Sequence, residues 1–361
     1  MGVPPTEEAP LTGRRHLGAA LSGAVCATAL LAPSATATAS PAQQATPLAG
    51  AGSILYLQGG ALWLASPDGR VKRRVPHAGR FDNPSQADNG TIVAQRGLHL
   101  YRMNRRGRLL NRPITTAFRT SAALPAFRGP LWPEVSPDGR KIAYTYSFTA
   151  THFDPSCMCT RVSTSLNTSY TWAGRFTADP ARTLGLARMY GRASWIDSSS
   201  VLLATESLFD FGGNVLDSLA VDRLGGGADS YARWFSECDP CDSLATLRLH
   251  RLSEPELTRR RDKLVVVSGP LGGTADGSRM LVYRVNGLPP AMPSGPCHVT
   301  GATGRFSSPT WSPDGRSLAW ADGRGIWVAR VGDLSGPTCE LTRRLVVPRG
   351  TQPDWGPARP R

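Results

Sequence analysis

Residues Ser308 to Val328 read SPTWSPDGRSLAWADGRGIWV. The pentapeptide at its centre, Ser312–Arg316, recurs at Ser66–Arg70 and again at Ser136–Arg140. Its chemistry is that of a turn. Proline presets φ at the second position, aspartate bonds to its own backbone, and glycine takes the positive φ that closes the hairpin. A catalytic aspartate would need a partner at fixed spacing, and none recurs beside Asp68, Asp138 or Asp314.

The flanks of each copy are short apolar segments. Pro309-Thr-Trp311 precedes the last copy, Ser317-Leu-Ala-Trp-Ala321 follows it, and Ile326-Trp-Val-Ala-Arg330 comes after a Gly-Arg-Gly turn. The middle copy stands between Pro133-Glu-Val135 and Lys141-Ile-Ala-Tyr-Thr-Tyr146. Degenerate copies keep the frame. Asn83–Gly90 leads into Thr91-Ile-Val-Ala94, Ala193–Asp197 into Val201-Leu-Leu-Ala204, and Thr274–Gly277 into Met280-Leu-Val-Tyr283. With 38 glycines and 30 prolines scattered along the chain, many turns and short strands are expected rather than long helices.

A self-similar unit of roughly 40 to 50 residues made of short strands is the mark of a β-propeller, each repeat forming a four-stranded blade. Trp311-Ser-Pro-Asp-Gly-Arg-Ser-Leu-Ala-Trp320, with the hairpin after it, resembles the repeat of the TolB-like propellers, a WD40-like family. The resemblance spans about residues 53–357 and implies an all-β, six-bladed propeller located in the cell envelope. Five units begin inside the chain, near residues 84, 133, 193, 271 and 308, the one beginning near 193 running to about 268. The first SPDGR copy follows Ile54-Leu-Tyr-Leu57 and Ala61-Leu-Trp-Leu64, so it joins outer strands and lacks an inner one. Gln352-Pro-Asp-Trp-Gly-Pro357 repeats the Pro, Trp and Pro of Ser308-Pro-Thr-Trp-Ser-Pro313. The C-terminal strand is therefore expected to complete the first blade and leave no open sheet edge.

The N-terminus has a different composition. Arg14-Arg15 precede the apolar run Leu17–Ala32, and Ser34-Ala-Thr-Ala-Thr-Ala39 holds two overlapping A-x-A cleavage patterns. This order describes a signal peptide over residues 1–39, the paired arginines suggesting twin-arginine export, followed by a disordered linker over 40–52. The apolar run is short for a membrane span of ~20 residues, so no transmembrane segment is expected in the mature chain. The expectation is a monomer, secreted or in the cell envelope.

Export bears on the cysteines. Beyond Cys26 of the leader there are six: Cys157, Cys159, Cys238, Cys241, Cys297 and Cys339. An even number outside the cytoplasm favours disulfides, so all six are expected to pair. Cys297 and Cys339 flank strands of the last blade and suit a staple at a blade boundary. Cys157-Met-Cys159 and Cys238-Asp-Pro-Cys241 allow three pairings. Zinc is the weaker reading of these four, because C-x-C is a poor half-site. A thioredoxin-like role for C-x-x-C lacks the βαβ context it needs. These cysteines lie in insertions near 149–160 and 205–250. With His152 and Asp154 beside Cys157, the two insertions form a candidate binding lip at the channel mouth.

No G-x-S-x-G, H-E-x-x-H, P-loop or Rossmann pattern occurs, and no cofactor is expected. Asp88, Asp138, Asp197, Asp276 and Asp314 stand at turns and are read as turn formers. His99, inside a strand, is read as structural. The net charge of +14 draws the chain to anionic surfaces. Its basic clusters, Lys72–Arg74, Arg105–Arg108 and Arg259–Lys263, lack interleaved aromatics, which argues against specific nucleic-acid binding. The expected role is non-catalytic binding or scaffolding, with an envelope protein or an anionic envelope polymer as partner. The competing class is a propeller hydrolase or lyase with a metal at the channel mouth.

Overall fold

Short apolar runs with no polar alternation imply strands covered on both faces. Ile54-Leu-Tyr-Leu57 is such a run, and all four side chains are buried. Successive side chains of a strand point to opposite faces, so Ile54 and Tyr56 join one apolar cluster and Leu55 and Leu57 another. The computed structural model describes residues 51–116, 126–175, 177–178, 188–189, 192–207, 216–224, 232–235, 251–269, 278–299 and 306–360. Its strands form six antiparallel sheets, the blades of a propeller. Six apolar clusters lie between them, one at each junction from blade 1/2 around to blade 6/1.

Blade 1 takes its inner strand from the far end of the chain. Thr351–Gly356 pairs with Ser53–Gln58, followed outward by Ala61–Ala65 and Lys72–Arg74. The strand that pairs Trp355 with Ile54 also packs Trp355 into the blade 6/1 cluster, so one segment closes the ring by hydrogen bonds and by apolar burial. Blade 2 consists of Asp82–Gln86, Ile92–Arg96, His99–Met103 and Ile114–Thr116, with Thr177–Ala178 added parallel to the last. Blade 3 has Ala126–Val135 inside, then the long hairpin Lys141–Asp154 and Cys159–Trp172. Blade 4 runs Ser194–Trp195, Ser200–Ser207, Leu216–Arg223 and Ala232–Phe235, and Arg188–Met189 also pairs with its second strand. Blade 5 is Arg251–Leu257, Lys263–Gly269, Arg279–Arg284 and Ser294–His298; blade 6 is Ser307–Trp311, Ser317–Asp322, Gly325–Val331 and Leu341–Pro348.

The SPDGR copies at Ser136 and Ser312 turn inner strands outward, and the copy at Ser66 joins the two outer strands of blade 1. All three are one turn. The serine hydroxyl donates to the aspartate carboxylate, which also accepts the backbone N–H two residues on. The glycine stands at φ 74 in Gly139, 68 in Gly315 and 70 in Gly69.

Two expectations need correction. The inner strand of blade 5 is Arg251–Leu257, not a segment near 271, and its turn is Thr258-Arg-Arg-Arg-Asp262. This turn reproduces the backbone bonds of SPDGR, Thr258 N to Lys263 O at 2.9 Å and Arg261 N to Thr258 O at 2.8 Å. Arg261 occupies the glycine position at φ 58. Thr258 Oγ1 supplies what the serine supplies elsewhere, accepting from Lys263 N at 3.2 Å. Thr274–Gly277 falls in the link between the second and third strands of blade 5, outside the described residues. Blade 4 therefore ends before 251. Within the expected 205–250 insertion, Leu216–Arg223 and Ala232–Phe235 are ordinary blade strands.

Candidate functional site at the propeller axis

The inner strands repeat one tetrapeptide frame around the axis: Asn83-Pro-Ser-Gln86, Trp132-Pro-Glu-Val135, Arg192-Ala-Ser-Trp195, Glu254-Pro-Glu-Leu257, Ser308-Pro-Thr-Trp311 and Gln352-Pro-Asp-Trp355. In the five with proline, the residue before it has positive φ, between 44° and 51°. The strand register shifts at the same place in each. Proline cannot donate a ladder bond, so it falls where a bulge makes that loss harmless.

The residue after proline reaches the next inner strand. Thr310 Oγ1 accepts from Trp355 N at 3.1 Å, Asp354 from Gln86 N, and Ser85 Oγ from Val135 N at 3.0 Å. Glu256 Oε1 accepts from Trp311 N at 2.9 Å and from the Thr310 hydroxyl at 3.1 Å. The residue before proline adds an inner tier: Gln352 accepts from Asn83 N at 2.7 Å, and Glu254 from Ser308 N. Blades 5, 6, 1, 2 and 3 are thus laced in sequence by side chains that reach from one inner strand to the next.

Blade 4 has no proline, and its frame begins with Arg192. That guanidinium pairs with Glu134 of blade 3, lies 3.7 Å from Asp354 of blade 1, and donates to Pro84 O of blade 2 at 3.4 Å. One arginine therefore ties four blades. Glu134, Arg192 and Asp354 have side chains only 11–19% exposed. Burial works against the Arg192 charge, but Glu134 and Asp354 outweigh it and hold the guanidinium above its usual range.

Four carboxyls lie within the electrostatic reach of Arg192, and Arg259 also acts on Asp354. Burial pushes Glu134 up to about 7, with Arg192 opposing and Asp354 adding. Burial, with Asp354 and Glu134, pushes Glu256 up to about 8. Glu254 and Asp354 are also raised by burial. Carboxyls tuned near neutrality suit proton transfer, so acid–base chemistry has to be weighed here. The cavity beside Glu134, Arg192, Glu254 and Glu256 is small, about 20 Å³, room for about one water. The site is a seam that binds the blades to one another.

The mouth on the turn side is crossed by a further contact. Arg259 of the blade 5 turn pairs with Asp88 of the blade 2 turn, on the opposite side of the ring, and Arg261 pairs with Asp197 of blade 4 at 3.0 Å. Lys141 donates to Ser198 O, Asn89 to Asp138 O at 3.2 Å and Lys263 to Gly315 O at 3.3 Å, so neighbouring turns touch around that face.

The lip residues are only partly placed. The blade 3 hairpin runs in register from Lys141↔Trp172 to Asp154↔Cys159, with His152 opposite Arg161. Its tip lies at the end away from the Ser136–Arg140 turn. Cys157 and Cys159 are bonded to each other there, with Cα atoms 5.2 Å apart. Cys238 and Cys241 lie outside the described residues, as does Asp276. Cys297, in the outermost strand of blade 5, is bonded to Cys339 of blade 6. Backbone bonds between His298 and Pro337 and between Cys339 and His298 flank that bridge. Asp138, Asp197 and Asp314 serve their own turns. Asp88 instead pairs across the axis, and Asn89 holds its turn through Thr91 N. Sequence reading missed the axial residues Glu134, Arg192, Glu254, Glu256 and Asp354. The signal that could have found them is the X-Pro-X frame, which brings two of every four residues to the axis.

A closed ring of six blades laced at its axis, most of them of four or more strands, defines the class: a six-bladed β-propeller whose loops are left to differ. More particularly, its fold is similar to that of TolB structures. The crystal structure of TolB from Acinetobacter baumannii is similar with a TM-score of 0.50 at 15% identity, over 84% of this chain and 66% of that one. This chain thus spans just under two thirds of that protein. A putative TolB from Agrobacterium tumefaciens matches at 0.46 and 14%, over 82% and 90% of the two chains. A prolyl endopeptidase structure matches at 0.45 and 14%, over 73% of this chain and 35% of that one. No protein-family profile matches the sequence, and no curated protein is similar to it. No helix among the described residues is long and apolar enough to cross a membrane.

Proposed function

We propose that this chain is an exported binding module of the cell envelope, which docks a protein partner through the blade 3 hairpin and does not turn it over. One observation carries the reading. The hairpin strands are 14 residues each, against five to eight in most other strands of the ring, and they end in a cystine-closed turn that exposes Phe153 (58%) and Met158 (77%). Single exposed apolar residues are ordinary, but two on one stiffened, protruding tip form a knob. Its complement is an apolar pocket on another protein. The leader pattern at residues 1–39 supports export, and the axial carboxyls, committed to neighbouring blades, support binding over turnover.

The test is capture from envelope extract at low and high salt by the native ring and by two variants. One replaces residues 149–160 with a short Gly-Ser turn; the other carries Phe153→Ser and Met158→Ser. A partner held by apolar contact should survive salt on the native ring and be lost from both variants. Retention of every partner by both variants would remove the hairpin from the reading. Hydrolysis of a lactone or phosphoester that disappears with Glu134→Gln would move the protein to the enzyme class.

A further inference from the structure

Two of the basic clusters, Lys72–Arg74 and Arg105–Arg108, are separate in sequence and adjoin in the fold. Arg73 lies on the outermost strand of blade 1, opposite Leu64, on the face that packs against blade 2. Arg105 lies in the outer turn of blade 2, Asn104–Arg108. Arg73 Nη2 donates to Arg105 O at 3.0 Å. Arg105 Nη2 donates to Ser53 Oγ at 3.0 Å, and that hydroxyl passes its own proton to Ala358 O at 2.7 Å. Gly90 makes room for this path, since a Cβ there would stand 2.7 Å from Arg105 Cδ.

These contacts leave donors over. The Nε of Arg73 and the Nε of Arg105 are both buried and have no acceptor. Neither guanidinium has an ion pair among the described residues. Burial and the neighbouring Arg73 push the Arg105 guanidinium down to about 10, the direction expected when two cations share a site with no counter-charge. Lys72 and Arg74 flank Arg73 in sequence and Arg106 and Arg108 lie in the turn of Arg105, all four exposed.

We propose that the junction of blades 1 and 2 is a binding site for a phosphate group, with Arg73 and Arg105 as its two forks and their buried Nε–H groups as the donors awaiting its oxygens. Guanidinium suits this task because its planar donors match a tetrahedral oxyanion two at a time, which an ammonium cannot do. The exposed cations around it raise the local concentration of anions without choosing among them. The site is independent of the blade 3 hairpin.

The same phosphate could come free in solution or on a lipid headgroup, and the experiment separates the two. The native chain is titrated with inorganic phosphate by calorimetry. It is then sedimented with phosphatidylcholine vesicles and with vesicles that also contain phosphatidylglycerol. All measurements are made at physiological ionic strength, where the Debye length is about 8 Å. Two sets of variants follow: Arg105→Lys and Arg73→Gln at the forks, and Lys72→Gln with Arg106→Gln and Arg108→Gln around them. Charge-assisted hydrogen bonds predict a loss of about tenfold or more in phosphate affinity for each fork variant, and less than about threefold for the exposed triple, whose charges are screened. Arg105→Lys keeps the charge and removes the fork, so it decides the question even if Arg73→Gln lowers the melting temperature. Sedimentation with the anionic vesicles alone, lost with Arg105→Lys, would assign the phosphate to a lipid. Saturable phosphate binding without vesicle binding would assign it to a soluble ligand. Absence of saturable phosphate binding by the native chain, or an equal loss from both variant sets, would overturn the site.

Discussion

The axis and the rim of this ring use arginine in opposite ways. At the axis, Arg192 is one cation among Glu134, Glu254, Glu256 and Asp354, and its contacts reach four blades. At the junction of blades 1 and 2, Arg73 and Arg105 face each other with no carboxylate between them. A buried charge is tolerated when it is paired and hydrogen-bonded. The axial charge meets that condition inside the protein. The rim charges do not: the Nε of each is buried with no acceptor. In this ring the described polar groups at the axis are engaged in holding neighbouring blades together.

The most severe way to break this contrast is to remove the segment that carries Asp354. Truncation from Gln352 onward deletes the inner strand of blade 1, takes Trp355 from the blade 6/1 cluster, and leaves the edges of Ser53–Gln58 and of blade 6 uncovered. The expected outcome is aggregation or loss of the cooperative melt, since each blade depends on its neighbours. A truncated chain that melts like the full one would mean that the ring does not rely on its closing strand. Arg192→Met comes next. Removing one partner of a buried charge pair costs about 3–5 kcal/mol, and urea titration at neutral pH should show a loss at the lower end of that range. The loss should shrink in acid, where Glu134 and its neighbours protonate and no longer need a cation.

The axis should also set a pH dependence. Glu134 and Glu256 are raised to about 7 and about 8 in the folded ring, against about 4.3 in an unfolded chain. Between those values the folded state binds more protons than the unfolded state, so stability falls as pH rises through that window and levels off above it. Asp68, Asp138, Asp197 and Asp262 work the other way. Burial disfavours their charge, but hydrogen bonds and nearby cations outweigh it and hold them below their usual range. Their contribution is present above the unfolded pKa and is lost in stronger acid. The melting temperature should therefore peak in mild acid, near pH 5, and decline toward pH 8. Glu256→Gln should flatten the decline and raise the melting temperature at pH 8. A native melting curve that rises steadily from pH 5 to pH 8 would contradict the charge balance described for the axis.

Much of this architecture was legible in SPDGR and in the Pro-x-Trp spacing shared by Ser308–Pro313 and Gln352–Pro357, because turn chemistry and strand patterning are local. The blade 5 turn was not legible. Thr258-Arg-Arg-Arg-Asp262 makes the same hydrogen bonds with arginine at the positive-φ position, and its glutamates interrupt the apolar pattern of an inner strand. Thr274–Gly277, which has the Asp-Gly of a turn, drew the boundary to the wrong place. The axial cluster escaped for a different reason. Its members are far apart in sequence, one per blade, and only the ring brings Glu134 beside Arg192 and Asp354. The Arg73–Arg105 contact likewise depends on how neighbouring blades are stacked, which no single repeat encodes.

The finest test of axis against rim uses the repeated pentapeptide itself, since identical residues stand in both places. In the copy at the inner strand of blade 6, Ser312 is buried, and its Oγ accepts from the buried Ser317 N at 2.9 Å. In the outer copy of blade 1, Ser66 Oγ accepts from Val71 N at 3.0 Å, and Val71 is exposed. Replacing either serine by alanine removes the same acceptor. At Ser312 the stranded N–H has no route to water, and a buried unsatisfied donor costs about 1–3 kcal/mol. At Ser66 solvent can take the place of the hydroxyl, and the cost should stay below about 0.5 kcal/mol, as for surface substitutions in general. Urea titration of the two single variants measures the difference directly. Equal losses would mean that the turn's own geometry sets its worth, and that its position in the ring does not matter.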